Sequence, residues 1–471
     1  MKTREGGNGA MQLDRQGCVI LAAGEGKRMH SPRSKVLCEV AFKPLLGWVL
    51  DAAKQAGILD IAVVASCDDV KEAADGCEIY EQKERLGTGH AVMCAGDFIK
   101  NRGEDILVLC GDAPFIDAET ITGAFKMHRG NNNDVTVISA VVANPKGYGR
   151  IVRKDGALAA IVEEADCDDD TRRISEINAG AYWFKAASLV SVLDGIKNDN
   201  AQGEYYLTDA VELLIKQGKS AGCYIADSAD VALGANTPAD ILALNDIARE
   251  KIINKHLENG VLFLTRDGII ISPDIEIEPG ATIMPGCMLS GATRIGGSSV
   301  IGPNTTLRDT VVGKDSRILS SLCVESTVGD GATVGPYTQL RSNSHIGDKT
   351  KIGDFVEIKN STVGEGTAVA HLTYVGDSDI GRYCNFGCGV VFVNYDGEGK
   401  SRSTVKDFAF VGCNTNIIAP VTIGEGAYTA AGVTVTEDVP DGALAIGRAR
   451  QENKTGWAKE KLEHYIERKS K

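Results

Sequence analysis

With 471 residues, 43% of them hydrophobic, the chain has the length and apolar content for two or three domains with cores of their own. Its formal net charge of −14 at pH 7 argues against nucleic acid and anionic membrane surfaces as partners, because both demand clustered positive charge. Thirteen cysteines, scattered without Cys-x-x-Cys pairs, read as reduced, buried thiols; the lack of any run of about 18 apolar residues, and of a signal-peptide core near Met1, points to the cytoplasm.

Residues 1–17 are polar and Gly-rich and are expected to form a disordered extension. Cys18–Ala22 then reads as a strand, Pro44–Ala56 as a helix, Ile61–Ala65 as a strand, Gly89–Asp97 as a helix, Ile106–Leu109 as a strand and Ala118–His128 as a helix. Further strands are expected at Val135–Ala143, Ala157–Glu163 and Gly180–Phe184. Strand followed by helix, repeated, predicts an α/β nucleotide-binding domain of Rossmann-like type with a mostly parallel sheet over residues 18–236. Asp240–Glu258 has helical periodicity and is punctuated by Gly260, which makes 237–260 a linker helix.

Beyond the linker the period changes. Ile277, Ile283, Leu289, Ile295, Ile301 and Leu307 place an aliphatic residue at every sixth position. The frame recurs at Val328, Val334, Leu340, Ile346, Ile352 and Ile358, then at Val363, Val369 and Val375, and again at Val405, Val411, Ile417 and Ile423. Such residues point inward at equivalent corners of a triangular coil, one coil per three hexads, and Gly302, Pro303, Gly329 and Gly347 let the chain bend between short strands. One coil cannot bury its apolar face alone, so many must stack. The expectation is a left-handed parallel β-helix of hexapeptide repeats over 261–450. The frame is lost between Phe392 and Val405, where a loop is expected to leave the coil. The charged tail, 451–471, carries Trp457 and reads equally as a capping helix or as disordered.

Chemistry-bearing residues cluster after the first strand. Leu21-Ala22-Ala23-Gly24-Glu25-Gly26-Lys27-Arg28-Met29 follows it directly, with Lys35 close behind. Two glycines there let backbone N–H groups approach a phosphate chain, while Arg28 and Lys35 neutralise it. Met29 stands where a dinucleotide fingerprint has its third glycine, and the segment is no Walker loop, so a dehydrogenase reading weakens. Alone, such a loop is more often a plain tight turn than a phosphate cradle; beside Arg28, Lys35, Gly87-Thr88-Gly89-His90 and Cys110-Gly111-Asp112 the balance reverses. This set resembles the sugar nucleotidyltransferases. The likeness narrows at Tyr148–Ile151, Ile161–Glu163, Glu176–Gly180 and Asn200–Asp209. With the hexads, and over roughly Cys18 to Gln451, the chain resembles the bacterial bifunctional N-acetylglucosamine-1-phosphate uridylyltransferase/glucosamine-1-phosphate N-acetyltransferase family.

That resemblance implies two sites. In the first, Leu21, Ala22, Ala23, Gly24, Arg28 and Lys35 serve uridylyl transfer from UTP, Gln82, Gly87 and Thr88 read the uracil, and Gly149, Glu163 and Asn178 line the N-acetylglucosamine-1-phosphate pocket. Asp112 and Asn236 are the implied Mg²⁺ ligands, hard oxygen donors suited to that ion. In the second, His371 is the general base for attack of the glucosamine-1-phosphate amine on acetyl-CoA, a role an imidazole fits near neutral pH. Arg341 and Lys359 grip the sugar phosphate, Tyr374, Asn394 and Tyr395 fix the sugar, and Asn385 bonds His371 or the amine. Cys388, Asn394, Tyr395, Cys413, Ala431 and Arg448 fall to the acetyl-CoA side. Cys388 and Cys413 depart from the family's small Ala and Ser. A homotrimer and a place in cell-wall precursor synthesis are also implied. A single-activity nucleotidyltransferase with a regulatory or assembly β-helix, and a scaffold subunit that has lost its chemistry, stay open as alternatives.

Overall fold

The computed structural model describes Leu13 and residues 16–24, 26–29 and 33–470. Most of the expected N-terminal extension lies outside the described residues. Of its described members, Leu13 is buried, and Gln16 is buried with its side-chain carbonyl accepting the N–H of Asp105 at 2.9 Å. The described residues fall into two compact units divided between Lys251 and Ile252, inside the helix Pro238–Glu258.

The first unit is built on β1 (Gly17–Leu21), a small hairpin β2 (Glu39–Val40) and β3 (Lys43–Pro44), β4 (Asp60–Ala65), β5 (Glu78–Glu81), β6 (Asp105–Cys110), β7 (Val135–Val141), β8 (Arg150–Lys154), β9 (Ala157–Val162), β10 (Glu176–Lys185) and β11 (Ala221–Ile225). The main sheet runs β11-β7-β10-β6-β1-β4-β5, with β8 and β9 as a hairpin hung from β10. Its centre, β1, lies parallel to both β4 and β6. Cys18, Val19 and Ile20 are all fully buried, as a strand covered on both faces by helices requires. The helix Leu45–Gln55 covers one face with Leu46, Val49, Leu50 and Ala53. On the other face Ala91 and Val92 come from the helix Thr88–Cys94. The sheet departs from wholly parallel at β10, which starts at Glu176 and runs antiparallel to β6 and β7.

In the second unit the described strands form three parallel sheets of eleven, ten and nine strands. Each strand pairs with its counterpart one coil on, as in the file Ile283, Ile301, Ile318, Val334, Ile352, Val369, Phe386 and Val411. All these side chains are buried, so the six-residue frame is the core of a left-handed parallel β-helix. Where the frame is silent between Leu307 and Val328, the buried hydrophobic positions are Val312, Ile318 and Cys323; five-residue steps and a cysteine hide the period there. Residues 394–402 leave the coil between the strands Val391–Val393 and Ser403–Val405. The tail holds a helix, Lys459–Lys469, whose side chains are exposed. No helix among the described residues is long and apolar enough to cross a membrane.

Candidate active sites

In the first unit a cavity of about 520 Å³ opens at the C-terminal ends of β1 and β6, the edge of a parallel sheet where ligands of such folds sit. Leu21 pairs with Cys110 at the ends of these strands. The next residue, Gly111, donates its N–H to the Leu21 carbonyl at 2.9 Å and has no room for a Cβ, which would stand 3.0 Å from that oxygen. This junction sets Asp112 on the cavity wall. Opposite it, Gly24 and Gly26 make way for the Lys35 stem: a Cβ on Gly26, whose φ is +61°, would meet the Lys35 Cβ at 2.9 Å.

The Lys35 ammonium consequently reaches the Asp112 carboxylate in a short ion pair and lies 3.4 Å from the side-chain oxygen of Asn236. Two hard oxygen donors thus converge on one cation. That is the donor set with which magnesium is held when substrate phosphates and water supply its other ligands, so the residues fit the ion. Among the described residues no group of three or more His, Cys, Asp or Glu side chains could hold a metal by itself. Leu21, Ala23, Gly24, Arg28, Lys35, Gln82, Gly87, Thr88, Asp112 and Asn236 all line the cavity. Ala22 is buried, its N–H bonded to the Val64 carbonyl at 2.9 Å. Arg85, Cys110 and Glu204 also line it. Arg85 was missed by the sequence reading although it stands two residues before Gly87, next to a motif already singled out.

The uracil candidates are fixed by their neighbours. Gln82 is buried and donates from its amide nitrogen to the Gly87 carbonyl at 3.0 Å. Gly87 has φ +107° and a Cβ there would stand 2.6 Å from the Tyr205 carbonyl oxygen, so only glycine fits. The Thr88 hydroxyl accepts the N–H of Leu207 at 3.0 Å.

Gly149, Glu163 and Asn178 come together beside Cys110. The Asn178 N–H donates to the Gly149 carbonyl at 2.9 Å, and a Cβ on Gly149 would lie 3.3 Å from a Glu163 carboxylate oxygen. Asn178 donates to the Tyr182 hydroxyl at 2.6 Å, and Glu163 accepts from the Thr208 hydroxyl at 3.1 Å. The adjacent glutamates differ sharply. Burial, with Asp209 nearby, raises the Glu163 pKa, whereas Arg150 at 2.7 Å and the Gly147 N–H hold Glu164 low. Of the two, Glu163 is the carboxylate whose surroundings favour the neutral form. Asp209 beside it is pushed up to about 6, first by burial and then by Glu212.

In the second unit one edge of the β-helix carries a column of equivalent turn positions. Asp354 pairs with His371. The bonds from Gly389 N–H to His371 carbonyl (3.3 Å), Asn414 N–H to Cys388 carbonyl (2.8 Å) and Gly432 N–H to Cys413 carbonyl (2.8 Å) continue it through Cys388, Cys413 and Ala431. Arg448 donates to the Ala431 carbonyl at 2.9 Å. His371 and four acetyl-CoA candidates therefore lie along one edge. His371 is exposed, and its Nδ1 lies 2.8 Å from the Asp354 carboxylate, which can only accept; Nε2 is left as the basic nitrogen. Asp354, not Asn385, is the partner of His371 here. Asn385 sits between Ala368 and Phe410 in its sheet, three residues before the column position. Sequence reading passed over Asp354 because its only signal is a spacing of seventeen residues, one coil.

Around the next corner lie the cations. Arg341 pairs with Glu357 at 2.7 Å, and the Lys359 pKa is lowered chiefly by Lys400 on the excursion loop, with Arg341 adding to it. Lys359 is in register with Gly376. A Cβ on Gly376 would stand 2.5 Å from the Tyr374 hydroxyl oxygen and 2.7 Å from the Asn394 amide nitrogen, so the glycine admits both. Asn394 is buried and donates to Asp377, which also accepts from Asn360 at 2.5 Å. The far end of the loop is fastened by Arg402, whose guanidinium forks onto Asp379 at 2.6 Å and reaches the Asn360 carbonyl at 2.8 Å. Tyr395 bonds only within the loop among the described residues, to the Gly397 carbonyl at 2.6 Å.

Fold and sites define a two-domain transferase: a nucleotidyltransferase unit followed by an acyltransferase β-helix. A MobA-like NTP transferase domain family matches residues 18–178, and the bacterial transferase hexapeptide family (six repeats) matches residues 325–360. Bifunctional protein GlmU of Clostridium perfringens is 44% identical over 447 residues, covering 94% of this chain and 98% of that protein. The same-named proteins of Clostridium acetobutylicum and Clostridium botulinum (strain 657) are 43% and 42% identical over the same shares. The chain belongs to the bifunctional GlmU family. It is an enzyme of UDP-N-acetylglucosamine synthesis, with uridylyltransferase and N-acetyltransferase activities.

Proposed function

We propose that acetyl transfer runs along the His371 edge of the β-helix and uridylyl transfer in the cavity at the ends of β1 and β6. The observation that carries this is the exposed His371 imidazole, held by Asp354 in a unit that also presents Arg341, Lys359 and Lys400. A β-helix kept only for regulation or assembly has no use for it.

In the first step Arg341 and Lys359 hold the phosphate of glucosamine-1-phosphate, Tyr374, Asn394 and Tyr395 orient the sugar, and Asn385 bonds the amine. His371 Nε2 takes the amine proton as nitrogen attacks the thioester carbonyl of acetyl-CoA, Asp354 stabilises the imidazolium that forms, and collapse of the tetrahedral intermediate breaks the C–S bond so that CoA leaves as the thiol with that proton. Cys388, Cys413, Ala431 and Arg448 flank the coenzyme.

In the second step N-acetylglucosamine-1-phosphate, held by Gly149, Glu163 and Asn178, attacks the α-phosphorus of UTP and pyrophosphate leaves. Arg28 and Lys35 neutralise the phosphates, and Gln82, Gly87 and Thr88 select the base. Asp112 and Asn236 would hold magnesium, which supplies charge neutralisation on the transferring phosphate. The chain's own part is in-line positioning. We place the enzyme in the cytoplasm as a homotrimer packed through its β-helices, supplying cell-wall precursor. Stacked exposed rings such as Tyr337 and Phe355, 5.5 Å apart, offer surface for that packing.

The test is an assay of purified protein with glucosamine-1-phosphate, acetyl-CoA, UTP and Mg²⁺, following free thiol and pyrophosphate separately. Both should be released, thiol first. Pyrophosphate formed only when N-acetylglucosamine-1-phosphate is supplied would overturn the acetyl-transfer site.

A further inference from the structure

Cys388 and Cys413 occupy successive steps of the edge column. The Gly387 N–H bonds to the Val411 carbonyl at 2.7 Å and the Asn414 N–H to the Cys388 carbonyl at 2.8 Å, which sets residue 388 directly opposite residue 413 in the adjacent coil. Strands so paired lie about 4.8 Å apart, inside the roughly 4.4–6.8 Å between Cα atoms that a disulfide bridges. Cys413 leans toward the neighbouring coil. A Cβ on Gly387 would stand 2.5 Å from the Cys413 backbone nitrogen and 2.8 Å from its Sγ, so the absent side chain next to Cys388 makes room for both the Cys413 backbone and its thiol.

Neither residue is sealed in the core. Cys413 is exposed and Cys388 half-buried, whereas Cys287, Cys323 and Cys384 of the same unit are buried. The expectation that the thirteen thiols are buried therefore fails at this edge. Cys384 is turned away, its thiol donating to the Lys406 carbonyl at 3.1 Å.

We infer that Cys388 and Cys413 form a dithiol modification site whose oxidant is a peroxide and whose product is a disulfide between neighbouring coils. The Cys413 thiolate attacks one peroxide oxygen: an S–O bond forms, the O–O bond breaks, and the leaving hydroxide takes up a proton as water. Cys388 then attacks the sulfenic sulfur; the S–S bond forms, the S–O bond breaks, and a second water leaves. Two thiols lose two electrons and two protons, and hydrogen peroxide becomes two waters. The consequence for catalysis rests on the proposed acetyl-transfer site. His371 is the step before Cys388, so a closed disulfide lies one coil on along the same edge of the β-helix, at the proposed coenzyme wall.

The test treats the full-length enzyme with hydrogen peroxide, maps its peptides without reduction, and measures both activities. The expected result is a linked Cys388–Cys413 peptide pair lighter by two hydrogens, acetyl transfer down by about tenfold or more, uridylyl transfer unchanged, and recovery with dithiothreitol. Cys388→Ser should leave Cys413 as a sulfenic acid that dimedone traps. Absence of the linked pair while Cys413 is oxidised, or dimedone trapping equal in the unsubstituted enzyme and Cys388→Ser, would overturn the dithiol. A linked pair with undiminished acetyl transfer would leave the dithiol standing and remove the acetyl-transfer site from this edge.

Discussion

In the proposed acetyl transfer, His371 serves as a base only while its Nδ1–H is held, because a free imidazole divides itself between tautomers and orientations. The Asp354 carboxylate at 2.8 Å does the holding, one coil away. Asp354→Ala should therefore lower kcat for acetyl transfer by roughly tenfold or more while leaving KM for glucosamine-1-phosphate near its starting value. Asp354→Glu, which keeps a charged carboxylate that can only accept, should restore most of the loss. Steady-state kinetics of the two variants decide it, and equal losses in both would show that the residue serves folding and not the imidazole. A second histidine reports on stability. His256 is buried with neither ring nitrogen hydrogen-bonded among the described residues, and burial, helped by Lys255, lowers its pKa to about 4 from the ordinary 6.5. Between those two values the unfolded chain binds a proton that the folded one refuses, so stability falls as pH drops from about 6.5 toward 4, by roughly 3 kcal/mol in all. Urea midpoints measured at pH 7 and pH 5 should separate for the enzyme and draw together for His256→Leu. Unchanged separation in the variant would assign the acid sensitivity elsewhere.

Strands and coils were legible in the sequence to very different degrees. The β-helix announced itself because most inward positions are aliphatic at a nearly fixed spacing, and it faded where Val312, Ile318 and Cys323 break the step and where the chain leaves the coil after Phe392. In the first unit β1, β4 and β6 were plain as buried apolar runs. The short, exposed β5 and β8, the partner of the expected strand β9, were not, since partly exposed strands lack a continuous apolar signal. Glycine roles were half legible. Gly24 and Gly26 read as a phosphate cradle, and their packing against Lys35 also explains how that side chain reaches Asp112. Residue pairs joined only by coil stacking, Asp354 with His371 and Cys388 with Cys413, had no signature until the register was known. The excursion at 394–402 was visible as a lost frame, but its anchors were not: Asp377 and Asp379 lie in the preceding coil.

At the scale of the whole molecule, the two chemistries are assigned to two units that each have their own core and their own cations. In the proposed assignment Lys35 and Arg28 serve one and Arg341, Lys359 and Lys400 the other, which would let a chain of net charge −14 take anionic substrates twice. The acetylated sugar phosphate made by the β-helix is what the α/β unit consumes, so the activities should be separable by substitution. The most direct measurement is thiol and pyrophosphate release by Asp112→Asn and His371→Ala, each supplied with the substrates of both steps, including N-acetylglucosamine-1-phosphate. Asp112→Asn should lose Mg²⁺-dependent pyrophosphate release and keep thiol release, and His371→Ala should do the reverse. Loss of both activities in either folded variant, or near-normal acetylation by His371→Ala, would contradict two independent sites with His371 as the base.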